Sequence, residues 1–349
     1  MMQEIPFRTA GSYRAPYNLE NTTATVLRFP FPFPEDRYMY SMNVEPHVRE
    51  GEVDSLRRTF DVDEHYIVEC QEKARILSED PRRCIVLPHM HEAEWDFVEL
   101  AMESLSQDYP DLFHLARNGR YWHWINRPLD IDQHFVFGDA DTLPHGPFAF
   151  MARQMQGDFT LQDQRENDLW MDGGMVTSQA DWSLKFDLGM SFRQWHAPVP
   201  KAGEMGIFDR ALRFLLMLQH GRPVRRLNWT MTINPRLDTS PENFTIWGKD
   251  RATVTNENAQ DLVHLRVELQ TLFRLPRSNA ILFCVRCYLL PLREIALVPK
   301  WRIRLHRVLR DLDPALSAYK GLDLYRAQAV SYLSQFDHGE TLTCGIGPE

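Results

Sequence analysis

The clearest pattern in the chain is a strict alternation of apolar and polar positions, which is typical of β-strands. Residues 262–275 read LVHLRVELQTLFRL and place four polar side chains on one face: His264, Arg266, Glu268 and Gln270. Residues 225–234, RRLNWTMTIN, alternate in the same way, and the loop PRSN at 276–279 leads into AILFCVRCYLLPL. These three segments predict an antiparallel meander in which the second and third strands form a hairpin.

Apolar residues recur at helical spacing in several other regions. Predicted helices cover DVDEHYIVECQEKARIL at 61–77, EAEWDFVELAMESLSQ at 92–107 and most of 301–336. A further helix, FDRALRFLLMLQHG at 208–221, places His220 in its last turn and Gly221 as a stop signal. Near the start of the chain, RFPFPFPED predicts an extended strap whose aromatic side chains dock on a core: Phe29, Phe31 and Phe33.

These elements predict an α+β architecture, since no internal repeat or Gly/Ser linker divides the chain. We expect an N-terminal strap at 1–40 and a single domain at 41–349 with C-terminal helices at about 295–336. The 349 residues are 44% hydrophobic, which is enough for a sizeable core. The net charge of -9 disfavours nucleic acid and anionic lipid as partners. Because no apolar run has the length of a signal peptide or a membrane span, we expect a cytoplasmic protein.

Two clusters of potential metal ligands have simpler explanations. The pair Cys284 and Cys287 lies in a predicted strand, which sends the two sulfurs to opposite faces and prevents both from binding one metal. The segment HMHEAEW lacks the HExxH spacing, so a capping or surface role is favoured for its His89, His91, Glu92 and Glu94. Five scattered cysteines fit a reducing compartment. No nucleotide fingerprint occurs, so electrons for any redox chemistry come from elsewhere.

Two other features each allow two interpretations. The segment RQWHAPVP at 193–200 places His196 before a rigid Pro-Val-Pro turn, where it is either simply packed or held ready as an axial metal ligand. The polar face of 262–275 is either a solvated outer face or a pocket wall. In a pocket, Arg226 or Arg266 would donate hydrogen bonds to an iron-bound oxygen, and Glu268 would hold a cation.

Three longer segments follow one another in the chain: GGMVTSQADWSLKFDLGMSFRQWHAPVP, VRRLNWTMT and HLRVELQTLFRLPRSNAILFCVRCYLLPL. Their order and content resemble the haem-dependent oxidative N-demethylase-like family, with its tryptophan segment, IHxPVP, RxNW and HLRVERQTLxRLP motifs. The resemblance covers roughly residues 40–335. It implies a PAS-like haem-binding subunit of the alpha-subunit type, in which an antiparallel sheet and flanking helices enclose the porphyrin.

The same resemblance implies a haem b oxidoreductase that demethylates a small secondary amine such as dimethylamine with O2 and releases formaldehyde. The resemblance also implies that His196 is the metal ligand, which binds the haem iron. The further cofactor contacts are Trp195, Asn228 and Trp229, and the catalytic residues are Arg226, Arg266 and Glu268. Electrons would come from a separate partner reductase that uses NADPH, FMN and a 2Fe–2S cluster.

The chain departs from the family pattern at three places. Leu269 stands where the family strand often has arginine, TSQADW replaces FPSSW, and Gln194 and Trp195 precede the histidine in place of isoleucine. Two alternative functions stay open at this point. One is a PAS-like haem gas sensor, which would bind haem without amine turnover, and the other is a haem-free binding protein that retains only the fold.

Overall fold

Strands form two antiparallel sheets in the computed structural model, which describes residues 21–39, 41–48, 54–197, 199 and 206–347. The larger sheet has the strand order β1-β8-β9-β10-β6-β7-β2, and the smaller has the order β3-β4-β5. The strands are β1 (Glu45–Pro46), β2 (Cys84–Val86), β3 (Phe113–Asn118), β4 (Tyr121–Asn126), β5 (Ile131–Val136), β6 (Asp158–Arg165), β7 (Asp168–Met175), β8 (Val224–Ile233), β9 (Val263–Arg274) and β10 (Ile281–Pro291).

Helices cover the sheets and continue beyond them towards the carboxyl terminus. They are α1 (Thr23–Arg28), α2 (Tyr66–Glu79), α3 (His91–Asp108), α4 (Pro147–Ala152), α5 (Leu184–Asp187), α6 (Phe192–His196), α7 (Ile207–Leu216), α8 (Phe244–Trp247), α9 (Ala259–Leu262), α10 (Leu292–Ile295), α11 (Pro299–Arg310), α12 (Pro314–Tyr319) and α13 (Arg326–Ser334). Among the described helices, none combines the length and the apolar character that crossing a membrane requires.

The α+β class and the β8-β9-β10 meander are confirmed. Strands β8 and β9 pair antiparallel with Asn228 opposite Glu268, and β9 and β10 pair with Glu268 opposite Cys287. As the alternation predicted, Cys284 packs in the core on one face of β10, while the Cys287 sulfur contacts Arg266 on the other. The sequence did not predict the small sheet or the hairpin of β6 and β7, which adds two more strands beside β10.

The apolar face of the large sheet is buried by two groups of elements. At one end, Leu265 and Val267 share a core cluster with Trp301 and Leu305 of α11. At the other end, Phe273 belongs to a second cluster that includes α3 and the small sheet. Between these clusters, Arg286 of β10 projects from the same face and forms buried ion pairs with Asp63 and Glu69, so this face is apolar at both ends and charged at its centre.

The strap docks on the first of these clusters. Phe29, Phe31 and Phe33 are all buried, and the Phe31 ring stacks on Trp301 with a centroid separation of 5.1 Å. The segment before them is not extended as predicted, because α1 forms there. The Thr22 hydroxyl accepts a hydrogen bond from the Thr25 amide and thereby caps the start of this helix.

Side chains also close the outer edge of β8. Beyond its short pairing with β1, three alternate carbonyls of this strand point away from the sheet. The Leu227 carbonyl accepts from Asn43, the Trp229 carbonyl accepts from Lys320 at 2.6 Å, and the Met231 carbonyl accepts from the Tyr325 hydroxyl. Asn43 and the C-terminal helical region together therefore satisfy an edge that would otherwise expose unpaired backbone acceptors.

Helix α7 ends earlier than the sequence predicted, and His220 lies beyond its last turn. The helix stops at Leu216 because the Arg274 guanidinium takes up its terminal carbonyls, including Leu215 O at 2.7 Å. The Arg274 Nε group also donates to Leu218 O at 3.0 Å. A side chain from β9, and not a local stop signal, therefore caps the end of this helix.

We predict that Phe31→Ala destabilises the fold strongly, because it removes a fully buried ring from a stacked contact with Trp301. Truncation of a buried phenylalanine costs about 3–5 kcal/mol of unfolding free energy, which urea denaturation would measure. The matched control is Phe186→Ala, because Phe186 is 72% exposed and its loss should change stability by less than about 0.5 kcal/mol. Equal effects of the two substitutions would contradict the docking of the strap.

Candidate functional site

The polar face of β9 is buried, so the interpretation as a solvated outer face is wrong. His264, Arg266, Glu268 and Gln270 are each less than 9% exposed. Two segments that follow β7 and β8 cover them, and these segments are joined by a parallel bridge between Ala180 and Thr239. A face that carries several polar and charged groups is thus held inside the protein, where each group needs a partner.

Arg266 has its partners entirely within the protein. Its guanidinium donates to the carbonyls of Leu237, at 2.7 Å, and Ser178, which belong to the two covering segments. It also contacts the Cys287 sulfur at 3.0 Å and the Glu268 carboxylate at 3.4 Å. A weaker contact joins its Nη1 group to Arg236 O at 3.4 Å. The guanidinium therefore has five acceptors for its five N–H groups. Arg266 is therefore a buried cross-link between the sheet and its cover.

Glu268 joins Arg266 to the neighbouring polar side chains. Its Oε2 atom accepts hydrogen bonds from the amides of Asn228 at 3.1 Å and Gln270 at 3.0 Å. Gln270 in turn accepts from Arg226 Nη1 at 3.2 Å. The result is a continuous hydrogen-bonded chain across β8 and β9 that fixes the carboxylate in one position.

Arg226 differs from Arg266 in having donor capacity to spare. Its Nε group donates to Asn43 and its Nη1 group to Gln270. The Nη2 group donates no hydrogen bond within the part of the chain that the structure describes. Of the two arginines that the sequence singled out, Arg226 is therefore the one with N–H groups left for another molecule.

The sequence did not identify Lys320, a third cation close to this network. Burial lowers the pKa of Lys320 to about 8, while the negative charge of Glu268 acts in the opposite direction. The ammonium group lies over the ring of Trp229, 4.8 Å from its centroid. Trp229 itself belongs to the core cluster on the other face of β8, against Phe33 and Tyr38. The structure thus brings Asn228, and not the side chain of Trp229, to the polar face.

His196 is the last residue of α6, and its ring is oriented by its own helix. The Nδ1 atom lies 2.9 Å from the carbonyl of Phe192, which can only accept, so Nδ1 carries the proton and Nε2 keeps a free lone pair. Loss of hydration, reinforced by the positive charge of Arg226, lowers the pKa of His196 to about 4. At neutral pH this imidazole is uncharged and is in the tautomer that a metal ligand needs.

Aromatic rings surround His196 on the same side of the large sheet as the polar network. The ring centroids of Phe192 and Phe208 lie 4.1 and 4.5 Å from that of His196, and Trp195 lies at 5.7 Å. These aromatic residues share a cluster with polar-face neighbours from three strands, namely Val224, Leu272, Ile281 and Phe283. One end of the face is therefore apolar and carries the histidine, and the rest is polar.

Several buried polar atoms along this face have no hydrogen-bond partner among the described residues. They are Thr160 Oγ1 and Gln162 Oε1 on β6 and both amide atoms of Gln179. An unsatisfied buried polar group costs about 1–3 kcal/mol, so a group of them indicates a ligand or bound water. An oriented neutral imidazole, an aromatic wall and unsatisfied polar atoms are together a donor set that fits a haem with its polar substituents.

The other histidine-rich motif has local structural roles. His91 is the first residue of α3, and Glu94 in its first turn accepts from the Phe148 amide at the start of α4. His89 bonds to Asp172 at 2.8 Å. Asp172 is also paired with Arg165, whose guanidinium already supplies the positive charge there. Glu94 thus caps the start of α4, whereas no side chain caps α3 and the half-exposed His89 pairs with a buried carboxylate.

His264 provides a pH-dependent test of this buried face. Its Nδ1 atom donates to Leu262 O at 2.9 Å, and burial lowers the pKa of His264 to about 4. Because an unfolded histidine titrates near 6.5, the unfolded state binds more protons between pH 6.5 and pH 4, and His264 destabilises the fold as the pH falls. His264→Gln removes this titration. The unfolding free energy of the variant relative to wild type should therefore rise by up to about 3 kcal/mol from pH 7 to pH 4.

Urea denaturation of both proteins across this range measures that difference directly, and it cancels the contributions of every other titrating group. A difference that does not change with pH would mean that His264 titrates normally in the folded protein, and that the polar face is hydrated.

Comparison with known protein families agrees with the geometry of this face. A family model described as "Haem-dependent oxidative N-demethylase, alpha subunit-like" matches residues 52–330, which include β8, β9, β10 and the His196 segment. The match extends over well more than half of the chain, and the family name indicates an oxidoreductase that depends on haem. The chain belongs to the haem-dependent oxidative N-demethylase alpha subunit-like family.

Proposed function

We propose that this protein is a haem b oxidoreductase that removes a methyl group from a small secondary amine, of the dimethylamine type, and releases it as formaldehyde. The observation that carries the proposal is the state of His196, which is neutral, oriented through Nδ1 and placed at the apolar end of a buried polar face. We also propose that residues 41–349 form one domain whose large sheet and flanking helices are PAS-like in arrangement.

In this proposal His196 holds the haem through Nε2, with Trp195 and Phe208 beside the ring and Asn228 further along the same face. Haem supplies the redox chemistry by which O2 oxidises the amine. The protein supplies the binding, the orientation and the exclusion of water. The burial of β9 on both faces supports this division of roles, because a dry polar site strengthens every electrostatic contact within it.

The polar residues divide the remaining tasks. Glu268 is the counter-ion for the protonated amine, since an alkylammonium that leaves water needs a carboxylate to offset its desolvation. Arg226 is the hydrogen-bond donor assigned to the oxygen substrate, because its Nη2 group is uncommitted among the described residues. Arg266 has a positioning role in place of the catalytic contact first expected, since its N–H groups are all engaged by protein acceptors.

The electrons must reach this chain from a second protein. The sequence has no nucleotide-binding fingerprint, and its five cysteines do not form a four-thiolate cluster site. The alpha subunit-like description of the family implies other subunits. We therefore propose a partner reductase that passes electrons from NADPH through FMN and a 2Fe–2S cluster.

We predict that wild-type protein binds one haem b and, with O2, a chemical reductant and dimethylamine, releases formaldehyde. His196→Ala should abolish or radically change the Soret band and stop formaldehyde release, because it removes the nitrogen that would hold the haem iron. Added imidazole should restore the band by filling the vacant position.

The control is His220→Ala, at an exposed histidine beyond α7, which should leave both the Soret band and formaldehyde release intact. A normal spectrum for His196→Ala would exclude His196 as ligand, and haem binding without formaldehyde would favour a gas sensor.

We predict that Glu268→Gln weakens amine binding by roughly 1.5–3 kcal/mol, the range for charge-assisted hydrogen bonds. The substitution keeps the shape of the side chain and removes its charge, so the haem spectrum should change little. Amine-induced shifts of the Soret band would give the affinities. Glu257→Gln, at an exposed position, is the matched control. Unchanged affinity in Glu268→Gln would place the amine elsewhere.

A further inference from the structure

The small sheet carries a cluster of potential metal ligands on its outer face, separate from the polar face of the large sheet. His123 on β4 and Asp132 and His134 on β5 have donor atoms that all lie within 4.8 Å of one another. The His123 Nε2 atom is 2.7 Å from the Asp132 carboxylate, and the two imidazole rings are stacked with centroids 3.9 Å apart. Two imidazoles and one carboxylate thus converge to within reach of a single ion.

Strand register enforces this convergence. His123 and His134 are directly opposite each other in the antiparallel β4–β5 pair, so their side chains leave the sheet on the same face. Asp132 precedes His134 by two residues and shares that face because side chains alternate along a strand. The opposite face of the same strands contributes Trp122, Trp124 and Phe135 to the core, which fixes the orientation of the hairpin.

The spacing of the donors suits a tetrahedral ion. Zinc bonds of 2.0–2.1 Å place neighbouring tetrahedral ligands roughly 3.3 Å apart. To bind such an ion, the distance between the Asp132 oxygen and His123 Nε2 would lengthen slightly. The other distances between donor atoms would shorten by at most about 1.5 Å. Rotation of the side chains is enough for these changes, so the strands need not move. Rotation is unhindered for Asp132, whose side chain is 68% exposed.

The protein has not already neutralised this cluster with a cation of its own. Within the described part of the chain, the only ion-pair partner of Asp132 is His123, and the ring nitrogens of His134 have no hydrogen bond. The other cluster with metal-ligand spacing, His89 with Asp163 and Asp172, differs in this respect. There the Arg165 guanidinium bonds to both carboxylates and supplies the positive charge.

We infer that His123, Asp132 and His134 form a binding site for a divalent transition-metal ion of the Zn²⁺ type. Three protein ligands leave one coordination position for water, as in zinc sites that remain open to solvent. Both histidines also line a surface groove of about 450 Å³, together with Tyr121 and Trp122, so an ion can reach them from solvent. The ion would also join β4 to β5 across the open face of the small sheet. This inference does not depend on the proposed function.

Titration of the full chain with Zn²⁺, followed by calorimetry and by the melting temperature, tests the site. Wild type should bind one Zn²⁺ ion. His123→Ala and His134→Ala should each lower the affinity for Zn²⁺ by at least about 100-fold, because each removes one of three ligands. Zinc should raise the melting temperature of wild type and not of these variants, since a ligand stabilises only the state that binds it. Asp132→Asn retains the size of the side chain and should weaken binding through loss of charge.

Two controls distinguish this site from other histidines. His114 lies on the same sheet, opposite Ile125, and outside the cluster, so His114→Ala should bind Zn²⁺ as wild type does. His196→Ala should likewise retain the site. The inference is overturned if wild type binds no zinc, if His114→Ala or His196→Ala loses the ion instead, or if the His123, Asp132 and His134 variants bind it with unchanged affinity.

Discussion

The buried guanidinium of Arg266 is the constraint on which the rest of this site depends. A charge that is fully removed from water is tolerated only if acceptors surround it, and two of those acceptors are carbonyls in segments far from β9 in sequence. Satisfying one side chain therefore requires the loops around Ser178 and Leu237 to close over the sheet. The same closure buries Glu268 and the amides that bond to it.

This arrangement gives the large sheet two different interiors. One face is packed mainly with aliphatic and aromatic side chains, around the ion pairs of Arg286 with Asp63 and Glu69, while the other is a hydrogen-bonded network with several unsatisfied atoms. A polar interior of this kind contributes little net stability, because each hydrogen bond only replaces one with water. Its value is positional: it holds carboxylate and guanidinium groups at fixed points beside an apolar end that carries His196.

Much of the fold could be predicted from local pattern, and the burial of the site could not. Alternation along β9 correctly separated two faces, but the same alternation describes a solvated sheet and an internal polar wall. The choice between them is made by Ser178 and Leu237, which no local signal connects to the strand. The early end of α7 has the same origin, since Arg274 of β9 caps it. Lys320 was missed because nothing in its helical segment distinguishes a buried lysine from a solvated one.

The side chains along the edge of β8 restrict how this chain can meet another protein. The outward carbonyls of Leu227, Trp229 and Met231 are already occupied by Asn43, Lys320 and Tyr325. A second polypeptide cannot extend the sheet here by β-augmentation, because the acceptors that an added strand would use are taken. Any subunit contact on this side of the protein would consequently be made through helices and side chains and not by extension of the sheet.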